Sequence, residues 1–308
     1  MRFLVYSEEP EVGLQLVGRA RALADETGGE AVALTASDAS PYFGVGADRV
    51  VKVVGVEGHD VEHWRLALVK AVELAKPDVV LMGATRRGKA LAPRLAAALR
   101  VGCMTECTSV GVVGGEVVVE RLTYGGSTVA RETCTSRPAI VTVPPRTYER
   151  PEPAEKAGET VELRVETPEP RVRVVERRPK PRSTVDLENA PVIVSAGRGF
   201  KAKEDLRILE ELAEVLGAQI GCTRPISADL GWLDQWVGIS GKKVRPSLYV
   251  ACGISGTIQH VAGIRDSQII VSINSDESAG IHGLSDYSVV GDLYQVVPAL
   301  TKALKARA

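Results

Sequence analysis

The 308-residue chain has few aromatic side chains and lacks a long apolar run. Phe, Trp and Tyr make up 4% of the residues, so Val, Leu, Ala and Ile must supply most of the 44% hydrophobic content. No run of about 20 apolar residues is present, and this excludes a membrane-spanning helix. The apolar run at residues 3–6 is interrupted at once by Ser7 and Glu8, so it is too short for a signal peptide. These absences predict a cytoplasmic protein that does not insert directly into a membrane.

The chain also has almost no net charge and lacks a recognisable metal-ligand pattern. The formal net charge is −1, with 25% charged residues of both signs, and a nucleic-acid-binding protein would be basic overall. The five cysteines are odd in number and irregular in spacing, so no disulfide framework is expected. The four histidines lie far from Cys103 and Cys107 in the sequence, so we expect no metal site. Asn occurs only twice, a composition that hints at a thermophilic source.

The length of the chain predicts two domains, because single cores rarely grow much past about 250 residues. In the first hundred residues, apolar strands alternate with amphipathic helices, a pattern typical of a parallel sheet covered by helices on both faces. Residues 41–47 are predicted as a loop and residues 90–99 as a helix. Strands predicted at 117–122 and 139–143 are expected to extend the same sheet, in part as antiparallel strands.

A Pro-rich stretch begins at Pro144 and continues to about Pro191. Strand-like alternation at 161–165 and 172–175 predicts one or two edge strands followed by a linker. The domain boundary is expected near residue 185. The predicted fold class is therefore α/β with two domains, residues 1–185 and 186–308, each built on a mainly parallel sheet flanked by helices.

The turn at residues 83–88 lies between a buried strand and a helix and contains two glycines and two arginines. Such a turn is able to bind a phosphate group. The alternative is a surface loop whose arginines meet solvent or a partner chain. Nothing nearby in the sequence completes a nucleotide site, so the surface loop is the favoured interpretation.

Three strand ends in the second domain carry residues that suit phosphate. Residues 197–199 follow a strand at 192–195, Thr223 and Arg224 follow a strand at 219–222, and residues 253–256 follow a strand at 248–252. Because open parallel sheets bind ligands at the carboxyl ends of their strands, this convergence predicts a phosphate-bearing cofactor. The alternative is a set of ordinary strand-to-helix turns.

Two local conformations at these strand ends are also predicted. Pro225 disfavours a helical conformation in the residue before it, so Arg224 is expected to be extended. A helix is expected to begin close after residues 253–256, with Ser255 as its capping residue. Trp232 and Trp236 lie in one loop, where packing under the loop is favoured over stacking on a ligand.

Five short motifs occur in a fixed order in the second half of the chain. They are Val237-Gly238-Ile239-Ser240-Gly241-Lys242, Gly253-Ile254-Ser255-Gly256-Thr257-Ile258-Gln259-His260, Ile273-Asn274, Asp286-Tyr287 and Gly291-Asp292-Leu293. This series closely resembles the FAD-binding domain of the electron-transfer flavoprotein α subunit. The likeness extends upstream to residues 197–199 and 224–225, and more loosely over the whole chain. It implies a Rossmann-like FAD-binding domain at 186–308 and a partner-binding N-terminal domain.

The resemblance also implies a set of residues that hold FAD. Arg198 would meet the diphosphate, and Arg224 would lie over the flavin ring, where its charge would favour the reduced anionic flavin. Ser240 would face flavin N5, and His260 would donate to flavin O2. Ile239 stands where the family commonly has Gln, which puts one polar contact in doubt. The implied cofactor-binding residues are Arg198, Gly199, Thr223, Arg224, Gln235, Val237, Gly238, Ile239, Ser240, Gly253, Ile254, Ser255, Gly256, Thr257, Gln259, His260, Asn274, Asp292 and Leu293.

The implied function is electron transfer, with FAD as cofactor and no catalytic residues or metal of its own. The partner would be an electron-transfer flavoprotein β subunit that holds AMP or a second FAD. Donors would be acyl-CoA dehydrogenases or NADH, and acceptors a membrane quinone oxidoreductase or ferredoxin. The chain would be a redox carrier rather than a metabolite-transforming enzyme, or part of an NADH-dependent oxidoreductase in a bifurcating complex. Two alternatives stay open: a sirtuin-like protein that binds NAD or another nucleotide without redox chemistry, and a scaffold without cofactor.

Overall fold

The computed structural model describes residues 1–56, 60–169, 175–176 and 186–306. The chain divides into two compact units, Met1–Arg177 and Arg178–Ala308, here called the N-terminal and C-terminal units. Both are built on parallel sheets with helices, so the predicted α/β class is confirmed. None of the helices in the described residues is both long enough and apolar enough to span a bilayer. The predicted boundary near residue 185 lies outside the described residues and stays a prediction.

The main sheet of the N-terminal unit has seven strands, and every pair of neighbours is parallel. Their order across the sheet is β10-β3-β2-β1-β4-β9-β5. The strands of this unit are β1 (Arg2–Tyr6), β2 (Glu30–Thr35), β3 (Arg49–Val54), β4 (Val79–Gly83), β5 (Cys103–Met104), β6 (Cys107–Val113), β7 (Glu116–Thr123), β8 (Thr128–Cys134), β9 (Ala139–Val143) and β10 (Glu159–Arg164).

Helices cover both faces of this sheet. They are α1 (Pro10–Thr27), α2 (Ser40–Gly44), α3 (Val61–Ala75) and α4 (Arg86–Leu99). Successive side chains of a strand point to opposite faces, so Phe3 and Val5 of β1 pack with α1 while Leu4 and Tyr6 pack with α3 and α4. A strand buried on both faces reads as a continuous apolar run in the sequence, as β1 does.

One prediction about helices in this unit is wrong, and another misplaces the start of a helix. Residues 41–47 were predicted as a loop, but α2 occupies most of them. Pro41 lies in the first turn of α2, where a proline needs no N–H partner. The helix predicted at 90–99 begins four residues earlier, at Arg86. Thr85 explains this early start, because its hydroxyl oxygen accepts a hydrogen bond of 3.0 Å from the Gly88 N–H and caps the helix.

The strands after residue 105 also differ from the prediction. Residues 117–122 do not extend the main sheet, because β6, β7 and β8 form a separate antiparallel sheet of three strands. On β7 only alternate side chains such as Val117 and Val119 are buried, which suits a sheet that packs on one face. In contrast, β9 does extend the main sheet, but in parallel, between β4 and β5.

One of the two strands predicted in the Pro-rich region lies within the described residues. The strand predicted at 161–165 is confirmed as β10, which pairs in parallel with β3 at the edge of the sheet. An edge position suits a short strand beside prolines, because one side of the strand makes no ladder hydrogen bonds. Of the strand predicted at 172–175, residues 172–174 lie outside the described residues.

The C-terminal unit is a five-stranded parallel sheet in the order β12-β11-β13-β14-β15. Its strands are β11 (Val192–Ala196), β12 (Gln219–Cys222), β13 (Leu248–Cys252), β14 (Ile269–Asn274) and β15 (Tyr287–Val290), and its helices are α5 (Arg207–Leu216), α6 (Ile258–Ile264) and α7 (Leu293–Lys305). A 3₁₀ turn, Lys203–Leu206, leads directly into α5.

The strand order creates a crevice in this unit. From β11 the chain moves outward to β12 on one side and then returns to β13 on the other. The connections therefore leave the carboxyl ends of β11 and β13 in opposite directions. Such a topological switch point is where open α/β sheets bind their ligands.

Candidate functional site

A cavity of about 300 Å³ lies at this switch point. It is lined by Arg198, Gly199, Thr223, Pro225, Gly253, Ile254, Ser255, Thr257, His260, Asn274 and Asp276. All of these except Pro225 and Asp276 belong to the predicted set. Asp276 comes two residues after β14, so the strand-end rule would have found it had it been applied to every strand of the sheet.

Glycines shape the two loops that form the floor of this cavity. The Gly199 N–H donates to the Gly253 carbonyl across 3.0 Å, and Gly253 has a left-handed φ of 63°. A Cβ atom at Gly199 would lie 2.7 Å from the Gly253 Cα, and one at Gly197 would collide with the Gly253 carbonyl oxygen. The backbones of these loops therefore touch, and side chains at these positions would force them apart.

Ser255 does not cap a helix, so that prediction is wrong. Helix α6 begins at Ile258, and its N-cap residue, Thr257, makes no side-chain capping bond. Ser255 lies in the preceding loop, where its carbonyl accepts from the Ile281 N–H at 3.1 Å. Gly256 has a φ of 83°, and its missing side chain leaves room for the backbone of Ile281. The loop is longer than predicted because it packs against residues near position 281.

Arg224 is helical rather than extended, which corrects another prediction. Its φ and ψ are −50° and −44°, and a single π-helical turn, Pro225–Asp229, follows it. Pro225 occupies the first position of that turn, where the missing N–H costs nothing. This favourable placement outweighs the steric bias that proline exerts on the residue before it. The Arg224 side chain is exposed and does not line the cavity.

Thr223 presents a polar atom that lacks a partner. Its N–H donates to the Ala196 carbonyl at 2.9 Å, which holds the residue at the end of β11. Its hydroxyl oxygen is buried beside the cavity and has no hydrogen-bond partner among the described residues. Buried hydroxyl groups in proteins are nearly always paired. The Thr223 hydroxyl therefore fits a ligand oxygen bound in this cavity.

His260 is held by hydrogen bonds at both ring nitrogens. Its side chain is 5% exposed, with Nδ1 3.0 Å from the Val237 carbonyl and Nε2 3.1 Å from the Tyr249 hydroxyl. A carbonyl only accepts, so Nδ1 carries the proton and Nε2 accepts from Tyr249. Burial lowers the pKa of His260 to about 4, although the bond to Val237 acts in the opposite direction. The ring is neutral at pH 7, and its nitrogens are already engaged by protein groups.

The loop from Gln235 to Ser240 lies beside α6 and outside the cavity wall. The Ile239 N–H donates to the Gln259 carbonyl at 2.8 Å, and the Cys222 thiol donates to the Gln235 carbonyl at 3.1 Å. Ser240 is exposed and accepts a 3.4 Å bond from the Trp236 indole. The structure thus brings this predicted segment next to His260 without placing it in the wall that surrounds the cavity.

The remaining predicted residues have structural partners. Asn274 donates to the Ile254 carbonyl at 2.7 Å and accepts from the Asp276 N–H at 2.9 Å, so it joins two loops of the cavity. Asp292 caps α7 through the Tyr294 N–H at 3.0 Å. The buried Leu293 packs against the glycine loops. The predicted residues that do not line the cavity are Arg224, Gln235, Val237, Gly238, Ile239, Ser240, Gly256, Gln259, Asp292 and Leu293.

The two tryptophans belong to the core rather than to a stacking site. Trp232 and Trp236 pack against the apolar cluster formed by α5, α7 and one face of the sheet. The favoured interpretation, packing under the loop, is confirmed. Among the described residues, no group of three or more His, Cys, Asp or Glu side chains is placed to hold a metal ion.

Two family models match most of the chain. Residues 186–265 match the electron transfer flavoprotein FAD-binding domain, and residues 7–168 match the electron transfer flavoprotein domain. Protein FixB of Clostridium saccharobutylicum is 36% identical over 319 residues, which cover 98% of this chain and 95% of that protein. Electron transfer flavoprotein subunit alpha of Bacillus subtilis is 38% identical over 265 residues, covering 84% and 81%. Protein FixB of Escherichia coli O157:H7 is 33% identical and covers 97% of each chain.

The chain belongs to the electron transfer flavoprotein α-subunit family. The family predicted from the five ordered motifs is therefore confirmed. The match to the FAD-binding domain contains the loops at 197–199 and 253–257 and also His260, whereas Asn274 and Asp276 follow its last matched residue. In this family member, the part of the chain matched as FAD-binding is thus the part that forms most of the cavity.

Proposed function

We propose that this chain is the FAD-binding α subunit of a heterodimeric electron-transfer flavoprotein. The observation that carries the proposal is the cavity at the switch point between β11 and β13, within the region that matches the family's FAD-binding domain. The unpartnered hydroxyl of Thr223 supports a ligand that brings hydrogen-bonding oxygens to this cavity. A phosphate or ribityl oxygen of FAD has that chemistry.

We assign the phosphates of FAD to the glycine loops at 197–199 and 253–257, with Arg198 as their charged partner. The cavity of about 300 Å³ is at the lower end of the range for small-molecule sites. A dinucleotide is larger, so part of FAD must extend beyond the enclosed cavity. Ile239 and Ser240 are exposed beside α6, and we assign the flavin ring to that side.

FAD, when bound, supplies electron transfer, and the residues of this chain bind it, orient it and set the charge around it. His260 is neutral and contributes a fixed dipole rather than a charge. Positive charge comes from the exposed guanidinium groups of Arg198 and Arg224. By Coulomb attraction, a guanidinium near the ring, the role assigned to Arg224, would favour the reduced, anionic form of the ring.

The visible spectrum of the purified protein, followed by extraction and identification of its cofactor, tests this function. We expect flavin absorption and FAD at about one equivalent per α subunit. NAD without flavin absorption would favour the sirtuin-like alternative, and a protein without any nucleotide would favour the scaffold. Arg198→Ala should lower the bound FAD, whereas Arg207→Ala, on α5, should not.

The finer proposals concern partners. We propose a β subunit as the obligatory partner, with AMP or a second FAD bound to it, and acyl-CoA dehydrogenases or NADH as electron donors. A quinone oxidoreductase or ferredoxin would accept the electrons. Co-purification from the native source tests these proposals together: one flavin per heterodimer indicates simple electron transfer, and two indicate a bifurcating complex.

A further inference from the structure

The N-terminal unit has a switch point of its own. Strand β1 lies between β2 and β4, and the chain runs from β1 to β2 and β3 on one side before it crosses to β4 on the other. The carboxyl ends of β1 and β4 therefore correspond to those of β11 and β13 in the C-terminal unit. By the rule for open parallel sheets, this is where the N-terminal unit would bind a nucleotide.

A carboxylate of the chain itself occupies this position. Glu8 follows β1, and its Oε1 accepts from the Arg87 N–H at 3.1 Å while its Oε2 accepts from the Thr85 hydroxyl at 2.7 Å. Thr85 and Arg87 form the start of α4, a helix of 14 residues. Backbone N–H groups at the start of a helix, together with its dipole, are the groups that bind phosphate in nucleotide sites. Glu8 makes the contacts that a bound anion would make.

The surroundings of Glu8 also suit an anion. Gly83 and Gly88 allow the end of β4 and the start of α4 to approach closely, because a Cβ at Gly88 would collide with the Gly83 carbonyl. The Arg87 guanidinium lies 5.8 Å from the centre of the Trp64 ring, beside the end of β1. A close strand-to-helix turn with a cation beside it is the arrangement that phosphate-binding turns use.

The two units differ in charge at the matching position. The first two residues after β1 are Ser7 and Glu8, whereas the first two after β11 are Gly197 and Arg198. In the C-terminal unit that position lines an open cavity, and in the N-terminal unit the acidic side chain crosses the switch point to bind the helix. The second residue after the strand therefore carries opposite charge in the two units.

We propose that Glu8 is an internal anion that closes the switch point of the N-terminal unit and is the residue that prevents phosphate compounds from binding there. Removal of its carboxylate opens a site for phosphate at the start of α4. The claim about Glu8 is independent of whether the C-terminal unit binds FAD, because it concerns a separate sheet and a separate helix.

The test uses the full chain, purified with its partner and any bound cofactor, and inorganic phosphate as the probe. Amide resonances of Arg87 and Gly88 are followed during a phosphate titration of the wild type, Glu8→Ala, Glu8→Gln and Glu26→Ala. Glu26→Ala is the matched control, since it removes one exposed carboxylate from the same unit without touching α4. Site-resolved signals separate this crevice from the C-terminal cavity.

In Glu8→Ala, phosphate should shift both amide resonances saturably, with an affinity at least about tenfold above that of the wild type and Glu26→Ala. Phosphate should also raise the thermal midpoint of Glu8→Ala more than that of either reference protein. Equal responses in Glu8→Ala and the wild type would overturn the proposal. If Glu8→Ala does not fold, Glu8→Gln decides, because it keeps the shape and loses the charge: binding above wild type supports the proposal, and none refutes it.

Discussion

At the scale of the residue, burial and two hydrogen bonds determine the protonation state and the orientation of the His260 ring. The backbone carbonyl of Val237 determines which ring nitrogen is protonated, and the hydroxyl of Tyr249 occupies the other. Both partners are buried or fixed by the fold, so the ring has little freedom to rotate or to charge. Any role of His260 toward a ligand in the cavity is therefore that of a neutral, oriented dipole.

Tyr249→Phe should destabilise the C-terminal unit by about 1–2 kcal/mol, because it leaves the buried Nε2 of His260 without a donor. Chemical denaturation at pH 7 measures this loss. Tyr287→Phe, which removes the same hydroxyl from a side chain that is 65% exposed, is the control and should be neutral. Equal stability of all three proteins would show that the Tyr249 bond contributes nothing.

The pKa of His260 predicts a dependence of stability on pH. Its folded-state pKa of about 4 lies below the value near 6.5 of an unfolded chain, so between these values the unfolded state binds more protons. Stability from this residue is complete above about pH 6.5 and falls as the pH drops toward 4, by at most ~1.4 kcal/mol per pH unit. His260→Gln should remove that part of the slope in denaturation curves measured across this window. An unchanged slope would mean that His260 titrates normally.

At the scale of the element, the loop at 253–257 determines the shape of the cavity. It joins β13 to α6 and is held by the Gly199–Gly253 contact on one side and by Ile281 on the other. The side-chain amide of Asn274, at the end of β14, donates to the Ile254 carbonyl of this loop. The loop is therefore positioned by three separate segments of the C-terminal unit rather than by its own helix.

Gly256→Ala tests that dependence on backbone conformation. The substitution forces an L side chain into a φ of 83° and against the backbone nitrogen of Ile281, so we expect a loss of about 1–3 kcal/mol in unfolding free energy. Gly283→Ala is the matched control in the same unit, since nothing lies within 4 Å of its added Cβ. Denaturant midpoints compare the two variants, and equal midpoints would contradict the prediction.

At the scale of the whole molecule, the two units contain similar parallel sheets but have different residues at the carboxyl ends of the strands. Both have a central strand flanked by connections that run in opposite directions. In the N-terminal unit the crevice contains Glu8, and in the C-terminal unit it is a cavity. The same architecture therefore yields one unit suited to cofactor binding and one whose site is filled by its own side chain.

Removal of FAD should affect the two units differently. A ligand that binds only the folded state stabilises the unit that contains its site, and all residues lining the cavity belong to the C-terminal unit. Hydrogen exchange of the stripped protein should therefore accelerate in peptides from residues 198–276, with little change in peptides from residues 2–54. An equal acceleration in both units would place the site elsewhere.

Local patterns along the chain were enough to predict most strands, the family and the group of loops at the site. Strands such as β11 and β13 were predicted because burial on both faces leaves a continuous apolar run, which is a local property. The five motifs identified the family because their order is also written along the chain. The prediction for Arg224 failed because Pro225 has two opposing effects. It disfavours a helical conformation in the residue before it, and it suits the first position of a helical turn.

Which distant groups come into contact follows from the packing of each whole unit. Glu8 and Arg87 are 79 positions apart, and no local pattern predicts that one binds the backbone of the other. The same holds for the contact of Ser255 with Ile281, the insertion of β9 between β4 and β5, and the tautomer of His260. These features depend on how packing of the whole unit brings distant segments together, whereas the sequence records directly only what each segment does with its nearest neighbours.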